Sequence, residues 1–422
     1  MFIIFILSFI PVVIWALIEP LASRFMDFSS SATSLGQIFG LVGMVLFSIN
    51  LILAGRFKFL DKYFKGLDKV YAHHSRIGSI AFSMLLFHPI FLVIRYLLIS
   101  TQDAALFFVP FINMPVTWGI ISLFMMIVLL SVTFYIKLKY HIWKMSHKFM
   151  LLSFFFASLH TFFIYSDISR SSLLRFYVLL FTMTGLFVGI RKTFFSKFLV
   201  SKFEYKVKNT IQLNKDILEI EMEPVSNKMN FKSGQFAFFS FISGGVTPES
   251  HPFSISSASV DNNIKITVKN LGDYTSLLVG LKPNDGVLID GPYGHFSYQN
   301  FKSKNQIWIA GGIGITPFLS MARVLESEYN IDMYYSVKEN SEAVYLKDFE
   351  DISLKNPNFK FNLWDASLKG YINSGLVVNL SKGFADKDIF LCGPPMFMES
   401  LKNQFVVLGV DIKKIHYENF SF

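Results

Sequence analysis

Six apolar stretches run near 2–18, 35–54, 77–99, 116–136, 149–166 and 173–190. Each approaches the ~20 residues that carry a helix across a hydrocarbon core, so six membrane helices are expected. The first is short and contains Pro11. A cleaved signal peptide is its rival, but no basic residue precedes it and no clear small-x-small site follows, which favours a retained helix. The pattern changes after about residue 197. From 203 to about 297, apolar and polar residues alternate in short runs: 217–223 (ILEIEME), 236–241 (FAFFSF), 264–268 (IKITV) and 286–290 (GVLID). Short strands at this spacing predict a small antiparallel barrel. From about 305 onward, strand patterns at 306–310, 331–337 and 388–392 alternate with helical ones beginning near Pro317 and near residue 395. That is a βαβ series with a parallel sheet. The expected organisation is a membrane helical bundle over 1–197, a β-barrel domain over 198–300 and an α/β domain over 301–422.

Composition sharpens this division. The chain is 52% hydrophobic and holds 49 Phe among 422 residues, too apolar for a purely soluble enzyme or a disordered chain. Of its 39 Lys and Arg and 30 Asp and Glu, the first 200 residues hold 17 and 6, so the basic excess belongs to the membrane half. Those basic residues lie between apolar runs rather than along one stripe, which argues against a nucleic-acid partner. They cluster after helix two (Arg56, Lys58, Lys62, Lys65, Lys69), after helix four (Lys137, Lys139, Lys144, Lys148) and after helix six (Arg191, Lys192, Lys197). The positive-inside rule then puts both termini, and the whole second half, in the cytoplasm of a multi-pass cell-membrane protein. Arg95, Arg170 and Arg175 fall at the opposite face, where they either draw an anion or anchor the interface. A single cysteine, Cys392, excludes a disulfide scaffold and a cysteine-based metal cluster.

Ionisable residues inside membrane spans are costly and point to function. Six of nine histidines lie in this half. His74 and His88 are 14 residues apart on helix three; His147 and His160 are 13 apart on helix five, which runs the same way. At 1.5 Å per residue the two levels are roughly 20 Å apart. His74 with His147 on the cytoplasmic side, and His88 with His160 on the outer side, could each clamp one haem iron axially. A spacing of 14 leaves two side chains within about 40° of each other, but 13 leaves them about 140° apart. Pro89 could kink helix three, whereas helix five has no such device, so the two haems are expected to approach it at different azimuths. Tetrahedral zinc is the other metal reading, disfavoured because no acidic or cysteine ligand accompanies the pairs.

In the second half, residues 310–317 (AGGIGITP) follow an apolar strand and open a helix. Such a glycine turn lets the backbone approach a pyrophosphate. A second loop, 391–396 (LCGPPM), ends a later strand, and the two together indicate a dinucleotide crevice. The barrel adds 251–257 (HPFSISS), with an aromatic and hydroxyls suited to a flat polar-edged ring. It also adds 268–275 (VKNLGDYT), with a lysine and a glycine turn for a phosphate, and 291–297 (GPYGHFS).

These segments resemble the ferredoxin-NADP-reductase-like flavin and nicotinamide domains. With the bis-histidine membrane half, the chain resembles the NADPH oxidase and ferric reductase superfamily in its compact bacterial form. The resemblance implies FAD, NADPH and two b-type haems. It implies that Pro252, Phe253, Ser254 and Ser256, with His251 beside them, line the flavin, and that Lys269, Gly272 and Thr275 serve its pyrophosphate. Members often have Arg where Lys269 stands, so that contact would be a point charge rather than a fork. Gly311, Gly312, Gly314, Thr316 and Pro317 match the nicotinamide-nucleotide loop. Cys392, Gly393 and Pro394 match the segment beside the nicotinamide. The tail 416–422 (HYENFSF) matches the family's terminal element, so that Phe420 stacks on the isoalloxazine and moves for the nicotinamide; Phe422 is its rival. Ser336 and Lys338 fall where the family meets the adenosine 2′-phosphate. A hydroxyl and a cation there favour NADPH, with NADH possible.

The implied activity is electron transfer from cytosolic NADPH through FAD and the haems to an acceptor across the bilayer, either O₂ or a ferric chelate. One rival is a haem and flavin electron-transfer subunit serving a protein partner; the short outer loops count against it, leaving little surface to dock an obligate one. A transporter with a nucleotide domain is the reading from another class; it predicts acidic or Arg residues along a path, where spans three and five offer mainly His.

Overall fold

The computed structural model describes residues 2–97, 100–136, 138, 140–195 and 202–418. Phe420 and Phe422, the basic residues Lys137, Lys139 and Lys197, and the expected boundary at 197–198 lie outside the described residues. Residues 1–60 and 69–199 form one compact unit; residues 61–68 and 200–422 form a second.

The helices are α1 (Phe2–Ala16), α2 (Leu21–Arg24), α3 (Phe28–Leu53), α4 (Lys58–Phe64), α5 (Leu67–Leu97), α6 (Thr101–Leu106), α7 (Met114–Tyr135), α8 (Tyr140–Lys148), α9 (Met150–Phe163), α10 (Asp167–Arg170) and α11 (Ser172–Phe194), all in the first unit except the end of α4 and the first two residues of α5, which belong to the second. Four of these, α3, α5, α7 and α11, are long and apolar enough to cross a membrane. The expected first and fifth spans are shorter than the sequence pattern suggested: α1 has 15 residues and α9 has 14. Two of the long helices, α3 and α7, begin at polar caps, Asp27 accepting from Ser30 N and Asn113 from Val116 N, which satisfy amides that a helix start leaves open.

Packing in this unit relies on small residues. A Cβ on Gly36, Gly40 or Gly43 of α3 would strike Leu92, His88 or Leu85 of α5, so these glycines let the two helices approach closely. A buried ion pair ties the loops: Arg24 NH1 lies 2.9 Å from Asp167 Oδ2, NH2 donates to the Trp15 carbonyl at 3.0 Å, and the guanidinium lies over the Trp15 ring. Removing one partner leaves a buried charge, which costs about 3–5 kcal/mol. Arg24→Ala is therefore expected to lower the melting temperature of the detergent-purified protein by on the order of 10 °C. Arg24→Ala with Asp167→Ala should recover part of the loss in the same thermal scan.

The second unit holds two sheets. The first is antiparallel and six-stranded: β1 (Phe203–Asn214), β2 (Ile217–Pro224), β3 (Phe236–Ile242), β4 (His251–Ser254), β5 (Ile264–Lys269) and β6 (Gly286–Tyr293), in the order β4-β3-β6-β1-β2-β5. An isolated bridge, Ile255 to Ile266, links the end of β4 to the other edge strand, β5. Its core is the inward set Val207, Ile220, Met222, Phe239, Ile266 and Ile289, all essentially inaccessible. The second sheet is parallel: β7 (Asn305–Gly311), β8 (Asn330–Val337), β9 (Phe359–Asp365), β10 (Asp388–Cys392) and β11 (Ile415–Tyr417), in the order β11-β10-β7-β8-β9. From β7 the chain builds outward through β8 and β9, then returns to β10 on the other side. The switch point therefore lies between β7 and β10, where a parallel sheet opens its ligand crevice.

Candidate functional site

In the helical unit the four histidines come together as two pairs. The ring centres of His74 and His147 are 6.2 Å apart, with planes at 75°; those of His88 and His160 are also 6.2 Å apart, at 69°. The expectation of different azimuths along helix five is corrected here. That helix is broken at Phe149 into α8 and α9, with Phe149 N bonding Ser146 O in a tighter turn. The break resets the phase, so a spacing of 13 still presents both rings to α5.

The rings are oriented by backbone. His88 Nδ1 donates to Gly36 O at 2.7 Å, His160 Nδ1 to Pro115 O at 2.7 Å and His74 Nδ1 to Asn50 O at 3.0 Å. A carbonyl only accepts, so in each of these three rings Nδ1 carries the proton and Nε2 keeps its lone pair. Glycine provides the room. A Cβ on Gly40 would lie 2.7 Å from His88 Nδ1, and one on Gly119 would lie 2.9 Å from His160 Nδ1. Each glycine sits four residues after the carbonyl that its histidine binds. Composition alone does not single out Gly40 and Gly119; the spacing of four from Gly36 was the available signal for Gly40.

The pairs fit axial ligation. Two imidazoles bound through Nε2 at about 2 Å to one metal have ring centres roughly 6 Å apart. Donation of the other nitrogen to a carbonyl is the usual support for such a ligand. His88 and His160 border a cavity of about 770 Å³ whose lining also includes Arg24, Gln37 and Arg95. That volume lies within the range of cofactor sites. Arg170 lines it too, but its guanidinium is half exposed and faces Glu19 at 3.8 Å. Among the described residues no cluster of three or more His, Cys, Asp or Glu is arranged to hold a metal ion.

In the second unit, the loops after β7 and β10 meet. Ala310 pairs with Cys392 in register, and a Cβ on Gly314 would collide with the Cys392 carbonyl and lie 2.7 Å from Gly393 N. A Cβ on Gly311 would meet Pro394 and Phe397, while Gly312 has a φ of +54° with open space around it. Thr316 is buried, its hydroxyl donating to Ile313 O, and Pro317 fills the first turn of the helix Thr316–Ala322. These positions form a glycine-only backbone cradle at the switch point.

The Cys392 thiol is buried, and both burial and the nearby Glu418 carboxylate push its pKa up. The sulfur is therefore a neutral thiol at physiological pH, and the thiolate required for alkylation is scarce. Cys392 is expected to resist iodoacetamide at pH 8 in the folded protein and to react fully once the protein is unfolded, as followed by mass spectrometry. Glu418, also buried, lies against Gly294, whose φ is +96°. The sequence offered no sign that this acid is buried.

The predicted flavin residues divide. Pro252, Phe253 and Ser254 share the half-buried edge strand β4, and His251 stacks on Tyr274 with ring centres 3.7 Å apart. Ser256 does not stand with them. It is fully buried, and its hydroxyl accepts from Thr267 because the chain has turned inward toward β5. The predicted pyrophosphate group also differs from expectation. Lys269 pairs with Glu342 at 3.6 Å, and Thr275 Oγ1 already accepts from Leu271 N and Gly272 N. In this state those two amides serve a local turn rather than an open anion cradle. Ser336, one residue before the end of β8, lies opposite Gly311 and is buried, while Lys338 is exposed just beyond the strand.

Comparison with known proteins agrees with this layout. Residues 39–158 match the ferric reductase like transmembrane component family, 202–297 an FAD-binding domain and 308–403 an oxidoreductase NAD-binding domain. The glycine betaine monooxygenase reductase subunit of Pseudomonas aeruginosa is 30% identical over 208 residues, covering 45% of this chain and 56% of the relative. The toluate 1,2-dioxygenase electron transfer component of Pseudomonas putida is 25% identical over 232 residues, covering 52% and 68%. The chain thus spans a little over half the length of the first of these curated relatives. Among solved structures, the ferredoxin NADP⁺ reductase of Neisseria gonorrhoeae with bound FAD and NADP aligns at 16% identity and a TM-score of 0.46, covering 52% of this chain and 98% of that one. The FAD/NAD-binding domain of a Vibrio cholerae nitric oxide dioxygenase aligns at 22% identity and a TM-score of 0.45, covering 51% and 97%. A ferric-reductase-like transmembrane component joined to FAD-binding and NAD-binding domains makes the chain an oxidoreductase with the architecture of the NADPH oxidase and ferric reductase type.

Proposed function

We propose that the chain moves electrons from cytosolic NADPH through FAD and two b-type haems across the cell membrane to an acceptor on the far side, with O₂ as the acceptor and superoxide as the product. Each NADPH gives up two electrons and a proton, so two O₂ are reduced for each NADPH oxidised. The observation that carries the reading is the pair of histidine pairs, each with ring centres 6.2 Å apart. The chemistry that bound FAD and haem would supply here is the change from two-electron hydride transfer to one-electron transfer. The chain's own residues bind, orient and exclude water. His74 with His147, and His88 with His160, would hold the two haem irons. Pro252, Phe253 and Ser254 hold the flavin edge. Gly311, Gly312, Gly314 and Gly393 bring backbone close to the nucleotide, with Cys392 as a neutral filler beside the nicotinamide. Ser336 and the exposed cation Lys338 favour NADPH. Phe420 is the proposed aromatic cover of the flavin.

In this reading α1 and the broken helix α8–α9 complete six spans with both termini cytoplasmic, and the Ile255–Ile266 bridge closes the antiparallel sheet into a barrel. The matched ferric reductase description favours a second acceptor, a ferric chelate, reached by the same path. The test is a reduced-minus-oxidised absorption spectrum of the purified protein with a haem-to-protein ratio, using NADPH as reductant. Two b-type haems reduced by NADPH with FAD present are expected, and no haem absorbance overturns the proposal. Cytochrome c reduction that superoxide dismutase abolishes assigns O₂; reduction of a ferric chelate that survives the dismutase assigns iron.

A further inference from the structure

Three of the four paired histidines are locked by a carbonyl and the fourth is not. His147 Nδ1 is shielded from solvent and has no hydrogen-bond partner among the described residues. Its ring instead stacks on Trp143, with centres 5.5 Å apart and planes at 18°. Trp143 is one turn earlier on the same helix, a spacing that places two side chains on one face. That helix, α8, has only nine residues, and His147 sits in its last turn, next to the break at Phe149. A short helix holds its end weakly by itself.

We infer that Trp143 is the positioning residue for His147, replacing with a ring stack the carbonyl lock that His74, His88 and His160 possess. The inference rests on the proposed ligation. When Nε2 binds a metal, Nδ1 must carry the proton, and in His147 that N–H has no acceptor. His147 is then the weakest donor of the four, since an acceptor on the second nitrogen raises ligand basicity. The site of His74 and His147 depends on the stack; the site of His88 and His160, with two carbonyl locks, does not.

The test uses the full-length holoprotein, with haem content, FAD content and low-temperature electron paramagnetic resonance of the ferric haems as readouts. Trp143→Leu is expected to lower haem content from two per chain toward one, or to shift the resonance of one haem, while FAD content stays unchanged. The affected signal should be the one that His147→Leu removes. Trp143→Phe, which keeps a stacking ring, should restore it. The inference is overturned if Trp143→Leu leaves both signals as in the wild type, disturbs the haem that His160→Leu removes, or loses both haems. It is overturned equally if Trp143→Phe fails to rescue. A wild-type chain that holds no haem overturns the proposed function itself, a result visible before any variant is made.

Discussion

His88→Leu is expected to leave one haem per chain instead of two and to slow NADPH-driven reduction of the outer acceptor by at least about 100-fold. Loss of a supporting contact around a metal ligand already costs 10–100-fold, so loss of the ligand itself sets that figure as a floor. The His88 ring lies against Gly40 and is held by Gly36 O, both on α3. Flavin reduction by NADPH should continue at its normal rate, because the flavin and nucleotide loops belong to the other unit. The pyridine haemochrome assay gives the haem count and stopped-flow absorbance gives the two reduction rates. Two haems and unimpaired acceptor reduction in this variant would remove His88 from the electron path. Gly40→Val is the companion variant. Its side chain would enter the space of His88 Nδ1, so it should reproduce the loss without touching a ligand.

The second large effect concerns the nucleotide. Gly314→Val should raise the KM for NADPH by more than about 10-fold, which corresponds to about 1.4 kcal/mol of binding. The added Cβ meets the Cys392 carbonyl and Gly393 N, which are backbone atoms at the end of a central strand and cannot swing aside. The loop must shift instead, and overpacking of this kind costs about 1–3 kcal/mol. Haem and flavin content should stay normal, and dithionite should still drive electrons to the acceptor. Gly312→Ala provides the contrast. No protein atom lies near its Cβ, so within the fold itself only the left-handed φ is penalised, at about 1–2 kcal/mol. Steady-state kinetics that show equal KM effects for the two variants would refute the steric account.

Much of the site was legible because its chemistry is local. A glycine turn between a strand and a helix needs its residues in one short segment, so AGGIGITP announced itself, as did CGPP after a later strand. Histidine in an apolar run is costly anywhere in the chain, which made four positions conspicuous. Other features depend on partners distant in sequence. Glu219 lies in a strand that reads as alternating, yet it is buried, because the Tyr345 hydroxyl donates to it at 2.6 Å and Lys265 at 3.0 Å. Ser256 read as a flavin contact but faces Thr267 on a neighbouring strand. The strand β9 carries few consecutive apolar residues and gave little signal, although it pairs with β8 along its whole length.

The sequence alone determined the membrane half, the two nucleotide loops and the identity of the four histidines, because hydropathy, glycine and buried imidazole each carry their cost residue by residue. The pairing of His74 with His147 and of His88 with His160 was already an expectation from the sequence; only the tertiary structure decided that the ring centres lie 6.2 Å apart in both pairs. Helical phase predicted a mismatch along helix five. The turn at Phe149, the glycines opposite the outer pair and the carbonyls that lock three of the rings removed it. For His74, His88 and His160 the ring's direction is set by a carbonyl that comes from another helix.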